Sequence, residues 1–313
     1  MAGAVERVRP ARAEPGGEGT AASGRGRVAL AWLAIVVGLF LVWEGAKWLF
    51  GDPWSIHASL LGLPIDIEHQ PPFESRIATD LSLPHVWQVI GAFIEPAQRN
   101  GSPLGVILAG QALFTFREAL IGFTIGGLLG LLLGIGFVHS RLAERAFVPY
   151  VVASQTVPIL AISPLIVVAT KAGWVSVAII SAYLTFFPVT IAALRGLRAA
   201  DPRAFELMRS YAATRRSVLW KLRLPTSVPY LFASLRVAAA AAVIGAIIGE
   251  LPSGIPDGLG SALLNYNQYY TSGPERLWAT IIMCSILGLA FVGLVRLAEM
   301  LLTRNRYRPV AAA

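Results

Sequence analysis

The residues that could do covalent or metal chemistry are few and dispersed. There are four histidines, His57, His69, His85 and His139, and a single cysteine, Cys284, inside an apolar run. A hydrolytic or transfer site needs His, Asp or Glu groups that converge, and a metal cage needs ligands at fixed short spacings. The histidines fall in separate parts of the chain with no such set around them, and one cysteine forms no intramolecular disulfide. Nothing reads as a glycine-rich phosphate loop closed by Lys-Ser/Thr. The sequence therefore predicts no catalytic residue, no bound metal and no cofactor.

Charge is concentrated instead in residues 206–225, ELMRSYAATRRSVLWKLRLP, with five basic residues and one acid between two apolar runs. Leu207 with Tyr211, and Val218 with Leu222, are apolar pairs at helical spacing, and basic residues fill the face between them. This pattern predicts two short amphipathic helices at a membrane surface, with Pro225 stopping a helix and Pro229 starting the next. A basic loop held by anionic lipid would share the same charge.

The elements around that segment are those of an integral membrane protein. Mean hydropathy is +0.63 and only 14% of residues are charged, against about 25% in soluble domains. The net charge of +8 accordingly reads as an orientation signal, not a nucleic-acid footprint. Six spans of about bilayer length are expected near 28–50, 118–139, 147–170, 174–194, 230–249 and 277–302. Residues 1–27 read as a disordered tail and 28–50 as an uncleaved anchor helix. Residues 51–115, acidic and rich in proline, read as an extracytoplasmic connection carrying a short amphipathic helix near LPHVWQVIGAFI. A five-helix core is expected over 116–303, with a cytoplasmic loop at 195–229 and a basic tail at 304–313. Arginines flank the first span, occupy the 141–145 loop and recur at 304–308, all on one side of a six-span topology, so both termini are expected in the cytoplasm.

Two spans have a marked design. Gly122, Gly126, Gly130 and Gly134 recur every fourth residue, the spacing of a smooth ridge for close helix packing. The third span, FVPYVVASQTVPILAISPLIVVAT, brings Gln155, Thr156 and Ser163 to membrane depth beside Pro158 and Pro164. Backbone groups freed by proline in hydrocarbon need partners from neighbouring helices or water. Those residues, with Tyr183, with Glu250 at the end of the fifth span and with Tyr266 in the polar-aromatic segment after it, are candidates to line a solute path. Glu118, Arg236, Arg296 and Glu299 are placed near span ends, which argues against ion coupling through mid-membrane charges. An ion-coupled secondary transporter is the alternative class.

The charged loop resembles the EAA loop of permease subunits of bacterial ATP-binding-cassette importers. That pattern runs Glu-Ala-Ala, three residues, Gly, nine residues, then Ile-x-Leu-Pro. Glu206 matches the acid, and Leu222, Leu224 and Pro225 match the close in register. Leu207 and Met208 stand where the alanines would be, and Ala212 stands at the glycine, which would permit a left-handed turn; with Ala212 the turn is expected to be tighter or more continuous. From residue 84 to 302 the order of spans is similar to the nitrate, sulfonate and taurine branch, with SQTVPILAISPL in the proline-rich third span and Gly258-Leu259-Gly260 after Glu250. The resemblance implies an all-α, six-span, type I importer permease without chemistry of its own. Two such subunits, here as a homodimer, would form the path in the membrane lipid, separate ATPase subunits would supply energy, and an extracytoplasmic binding protein would deliver solute. It further implies that Glu206, Leu207, Met208, Arg209, Tyr211, Ala212, Ala213, Arg215, Arg216, Leu222, Leu224 and Pro225 form the ATPase-coupling loop. Relatives of that branch handle nitrate, sulfonates and taurine, and similar permeases are associated with pyrimidine precursors and riboflavin. The uncharged candidates Gln155, Thr156, Tyr183 and Tyr266 lean toward an uncharged or heteroaromatic solute.

Overall fold

The structure is a computed structural model that describes residues 20–60, 63–73, 75, 78–97 and 101–303. Most of the expected N-terminal tail and the basic C-terminal tail lie outside the described residues. The chain divides into two compact units, residues 1–86 and 87–313.

In the first unit, helix α1 (Thr20–Phe50) begins inside the segment expected to be tail. Its upper half carries exposed Leu39, Leu41 and Val42, as suits a helix facing lipid. Its last turns hold the connection that follows. The Glu44 carboxylate accepts from the Val86 N–H at 2.7 Å and pairs with the His85 ring at 2.9 Å, and the Trp43 indole donates to the Pro84 carbonyl at 3.0 Å. Lys47 is fully buried, donating to the Ala78 carbonyl at 3.0 Å and to Asp80. A buried ammonium persists only with partners of this kind. Strands β1 (Trp54–Leu60) and β2 (Leu63–His69) pair antiparallel, Trp54 opposite His69 and Leu60 opposite Leu63. The sequence reading had no strands here.

The second unit is helical. It runs α2 (Val86–Ile94), α3 (Leu104–His139), α4 (Arg141–Ser154), α5 (Ile159–Ala169), α6 (Trp174–Arg198), α7 (Pro202–Ser210), α8 (Arg215–Val218), a π turn (Leu219–Arg223), α9 (Leu224–Ser253), α10 (Leu259–Gln268) and α11 (Pro274–Thr303). Among the described residues of the whole chain, five helical segments are long and apolar enough to cross a membrane, or six with the bent α4–α5 pair as one span. Three sequence boundaries move. The second span starts at Leu104, not near 118, so Glu118 lies well inside α3 and is buried. The third is two helices bent by 99° at the 155–158 break, because Pro158 cannot continue the ladder begun in α4. Pro225 does not stop a helix: it takes the first turn of α9, where a missing N–H costs nothing, and Pro229 lies within that helix.

The core sits where α3, α6 and α9 meet. Gly122, Gly126, Gly130 and Gly134 are all buried and lie against α6; a Cβ on Gly130 would stand 2.7 Å from the Phe186 carbonyl oxygen. Gly245 and Gly249 of α9 meet a neighbouring face of α6, near the Cα atoms of Ser181 and Val177. The Ser181 hydroxyl lies between the helices, 3.0 Å from the Ala242 carbonyl of α9 and 3.4 Å from the Ala119 carbonyl of α3. Small residues let three backbones approach closely, which is where packing between apolar helices in lipid gains its energy. Outward residues such as Leu113, Leu132 and Leu289 remain exposed and apolar.

Candidate functional site

Two regions hold the coupling-loop candidates and part of the pathway candidates: a helical elbow at one end of the bundle and a cavity at the other.

The elbow is built by local capping. Asp201 accepts from the Arg203 N–H at 2.8 Å ahead of Pro202, fixing the start of α7, and Thr214 accepts from the Ser217 N–H at 3.2 Å to start α8. Between them α7 ends in a Schellman turn: the Ala212 N–H donates to the Arg209 carbonyl and the Ala213 N–H to the Met208 carbonyl, each at 2.9 Å. Ala212 has φ +51°, so it takes the left-handed conformation of the motif glycine despite its methyl group. The tighter or more continuous turn expected from alanine is therefore corrected, because two backbone hydrogen bonds outweigh the local strain. A left-handed alanine costs about 1–2 kcal/mol, and glycine returns part of this as chain entropy. Ala212→Gly is expected to stabilise the protein by roughly 0.5–1 kcal/mol, read as a rise in the thermal unfolding midpoint.

From α8 the chain passes through the π turn, where the Leu224 N–H reaches back to the Leu219 carbonyl, straight into α9. A π turn offsets the helix register by one residue and recurs at functional sites. Glu206, Leu207, Arg209, Tyr211, Arg215, Arg216 and Trp220 are exposed, Leu207 and Tyr211 at 57% and 77%. Met208, Ala213, Leu222, Leu224 and Pro225 are half-buried toward the bundle. The elbow thus presents a mixed apolar and charged surface of adjacent side chains.

At the other end, a cavity of about 780 Å³ is lined by Gln111, Glu250, Ile255, Asn265, Tyr266, Tyr269 and Arg276, among others. The irregular segment after α9 is held in place by α3. The Gly258 N–H donates to the Gln111 side chain, the Leu259 N–H donates to the Thr115 hydroxyl at 2.8 Å, and the Gly260 N–H donates to Glu250 at 2.6 Å. The other Glu250 oxygen and both Glu118 oxygens have no hydrogen-bond donor among the described residues, and the two buried carboxyl groups face each other. Tyr266 is half-buried; burial pushes its phenol up, while Arg276 pulls it back.

The pathway candidates are not all brought together. Glu250 and Tyr266 line the cavity. Gln155, Thr156 and Pro158 are exposed at the α4–α5 break, and the Tyr183 hydroxyl donates to the Ser154 carbonyl there. Ser163 is buried, its hydroxyl turned back to the Leu160 carbonyl. The sequence reading missed Gln111, Thr115 and Arg276. The first two lie four residues apart in a stretch it had assigned to the connection, a signal that becomes legible once α3 starts at Leu104.

A family model described as binding-protein-dependent transport system inner membrane component matches residues 126–304, more than half of the chain. The chain is 31% identical over 175 residues to the formylaminopyrimidine transport permease protein ThiX of Halalkalibacterium halodurans, covering 53% of this chain and 70% of that one. It is 29% identical over 236 residues to SsuC of Bacillus subtilis, whose name refers to aliphatic sulfonates transport, covering 71% and 84%. Among solved structures, an inward facing form of the MetNI methionine ABC transporter superposes with a TM-score of 0.51 at 19% identity, over 66% of this chain and 96% of that one. At that identity the likeness is one of fold.

Proposed function

The chain belongs to the binding-protein-dependent transport system inner membrane components, and from that premise we propose that its bundle forms the solute path of an ATP-driven importer whose separate ATPase subunit seats on the α7–α8 elbow. The protein is a multi-pass permease component, and this reading fits better than ion-coupled transport. The observation that carries the docking assignment is the elbow itself. Capped helices and a strained turn hold exposed Leu207, Tyr211 and Trp220 beside Glu206 and the arginines. An apolar surface kept rigid outside the bundle core suits a partner's groove, with the charges fixing register. In the full assembly a second copy of this chain completes the path, and an extracytoplasmic binding protein delivers solute to the cavity end. The basic elbow end faces the cytoplasm.

For the solute, the cavity offers phenols and amides from Tyr266, Tyr269, Gln111 and Asn265, with one carboxylate and one guanidinium of opposite sign. That balance suits a neutral, hydrogen-bonding heteroaromatic molecule better than a sulfonate. The name of the formylaminopyrimidine relative points the same way. Uptake by vesicles carrying the complete transporter is expected to be competed by aminopyrimidines and not by alkanesulfonates; the reverse order would overturn the solute class.

Docking is tested by co-purification with the cognate ATPase subunit. Removing one partner of a desolvated charge contact and replacing it with its opposite costs upwards of about 2 kcal/mol, so Glu206→Lys is expected to lower recovery roughly tenfold or more. Equal recovery would remove Glu206 from the interface, and no association of the unaltered chain would remove the elbow.

A further inference from the structure

A second cavity, of about 720 Å³, lies at the elbow end and is lined by Val138, Arg141, Glu144, Arg145, Val148, Pro149, Arg198, Phe205 and Arg223. The end of α3, the start of α4, the end of α6, the coupling helix α7 and the π turn all contribute to it. Four guanidinium groups share it with one carboxylate. Arg198 clasps Glu144 through both nitrogens, at 2.7 and 2.5 Å, so that carboxylate is already engaged. Arg223 is half-buried over the Phe205 ring, 5.0 Å from its centroid, and donates to the Leu197 carbonyl at 3.3 Å. Arg141 and Arg145 have no carboxylate partner among the described residues besides the shared wall of Glu144. Like charges gathered in one concavity repel unless an anion joins them. Guanidinium groups in such a cluster match phosphate oxygens in geometry.

We infer that this cavity is a phosphate-binding site, and that its occupant is the headgroup of an anionic phospholipid. The rim selects the lipid over a free anion. Val138, Val148 and Pro149 form its apolar wall, beside the four guanidinium groups. A free phosphate would have no use for that face, whereas acyl chains would lie along it. A basic pocket between membrane helices, where the cytoplasmic leaflet supplies anionic headgroups, meets the physical requirement. Because Phe205 of α7 is part of the wall, a bound phosphate gathers the guanidiniums around the root of the elbow and holds α7 against the bundle. The lipid thereby becomes a structural partner of the coupling element. This last step rests on the docking role proposed for the elbow; the lipid site itself does not.

The test uses the full chain in detergent, with bound lipid counted by native mass spectrometry and unfolding followed by heat. Phosphatidylglycerol, phosphatidylcholine and inorganic phosphate are compared. Unaltered protein is expected to retain one phosphatidylglycerol per chain and to unfold later with it, and phosphatidylcholine is expected to do neither. Arg141→Gln with Arg145→Gln, both exposed, should weaken retention roughly tenfold or more, since each basic residue near anionic lipid contributes roughly a fivefold factor. Arg215→Gln with Arg216→Gln removes the same charge from the elbow outside the cavity and should change retention little. Val148→Trp places an indole in the cavity wall without altering charge and should lower retention as well. Equal losses from both arginine pairs, or no loss with Val148→Trp, would overturn the site. Protection by inorganic phosphate alone would keep the anion site and overturn lipid as its occupant. Lipid retention does not require the ATPase, so failure of the docking role leaves this result untouched.

Discussion

Gly130→Leu is expected to abolish the folded bundle, while Gly136→Leu, six residues along the same helix, leaves it intact. Both glycines lie in α3 and both are flanked by large apolar residues, Leu129 and Leu131 for Gly130 and Ile135 and Phe137 for Gly136, so lipid solubility barely changes. What differs is the neighbour. A Cβ at Gly136 meets nothing within 4 Å, whereas one at Gly130 stands 2.7 Å from the Phe186 carbonyl oxygen, 3.0 Å from the Thr190 nitrogen and 3.0 Å from the Val189 Cβ. Two of those three are backbone atoms, so no rotamer change relieves the contact and α3 and α6 must separate. Overpacking by side chains alone costs about 1–3 kcal/mol. Forcing backbones apart also exposes the Ser181 hydroxyl and the glycine seam on either side, so the loss should exceed about 3 kcal/mol, a large part of the ~5–15 kcal/mol that holds a domain together. Gly130→Ala should be intermediate. Monodisperse protein recovered in detergent, followed by thermal unfolding, ranks the three. A Gly130→Leu variant as stable as Gly136→Leu would show that the helices do not pack through this face.

This seam was readable before any coordinates because a repeat of four on a helix is a geometric statement: it names one face without needing to know what lies opposite. The elbow was readable in the same way, since Glu206 and the Leu222, Leu224, Pro225 close are separated by a fixed interval. What escaped were features set by tertiary partners. Nothing local tells that Ala212 will adopt φ +51°; two hydrogen bonds in the finished turn decide it. Nor does Pro158 announce a 99° bend as opposed to a mild kink, because proline removes a bond but neighbours choose the direction. Glu118 was placed near a span end because residues up to 115, Gln111 and Thr115 among them, were read as part of the acidic, proline-rich connection. Their polarity is absorbed by the bundle: Gln111 and Thr115 hold the segment after α9, and Glu118 faces Glu250. The strand pair was at least hinted at by alternating Ile65, Asp66, Ile67 and Glu68, which a search for helical periods passes over.

The segment after α9 gives the second large effect, and here the backbone decides. Gly254 and Gly258 both have positive φ, but not alike. Gly254, at φ 66° and ψ 12°, is left-handed helical with open space around its missing Cβ, a conformation asparagine tolerates. Gly258, at φ 107° and ψ 154°, lies in the region that essentially only glycine occupies, and a Cβ there would come 2.6 Å from a Glu250 carboxylate oxygen. Its N–H also donates to Gln111, which ties α3 to the start of α10. Gly254→Asn should therefore change little. Gly258→Asn should cost several kcal/mol locally, about 1–3 for the dihedrals alone, with the clash and the displaced Glu250 bond to Gly260 added. The turn joins α10 to the core through buried Leu259, while the glycine seam between α3 and α6 involves none of its residues, so the loss should appear first as fast hydrogen exchange over residues 255–268 and less as global unfolding. If α10 forms one wall of the solute path, Gly258→Asn abolishes uptake while the chain still co-purifies with its ATPase subunit, the converse of Glu206→Lys. Normal uptake despite rapid exchange in α10 would remove that cavity from the path and direct attention to the α4–α5 break, where Gln155 and Thr156 stand exposed.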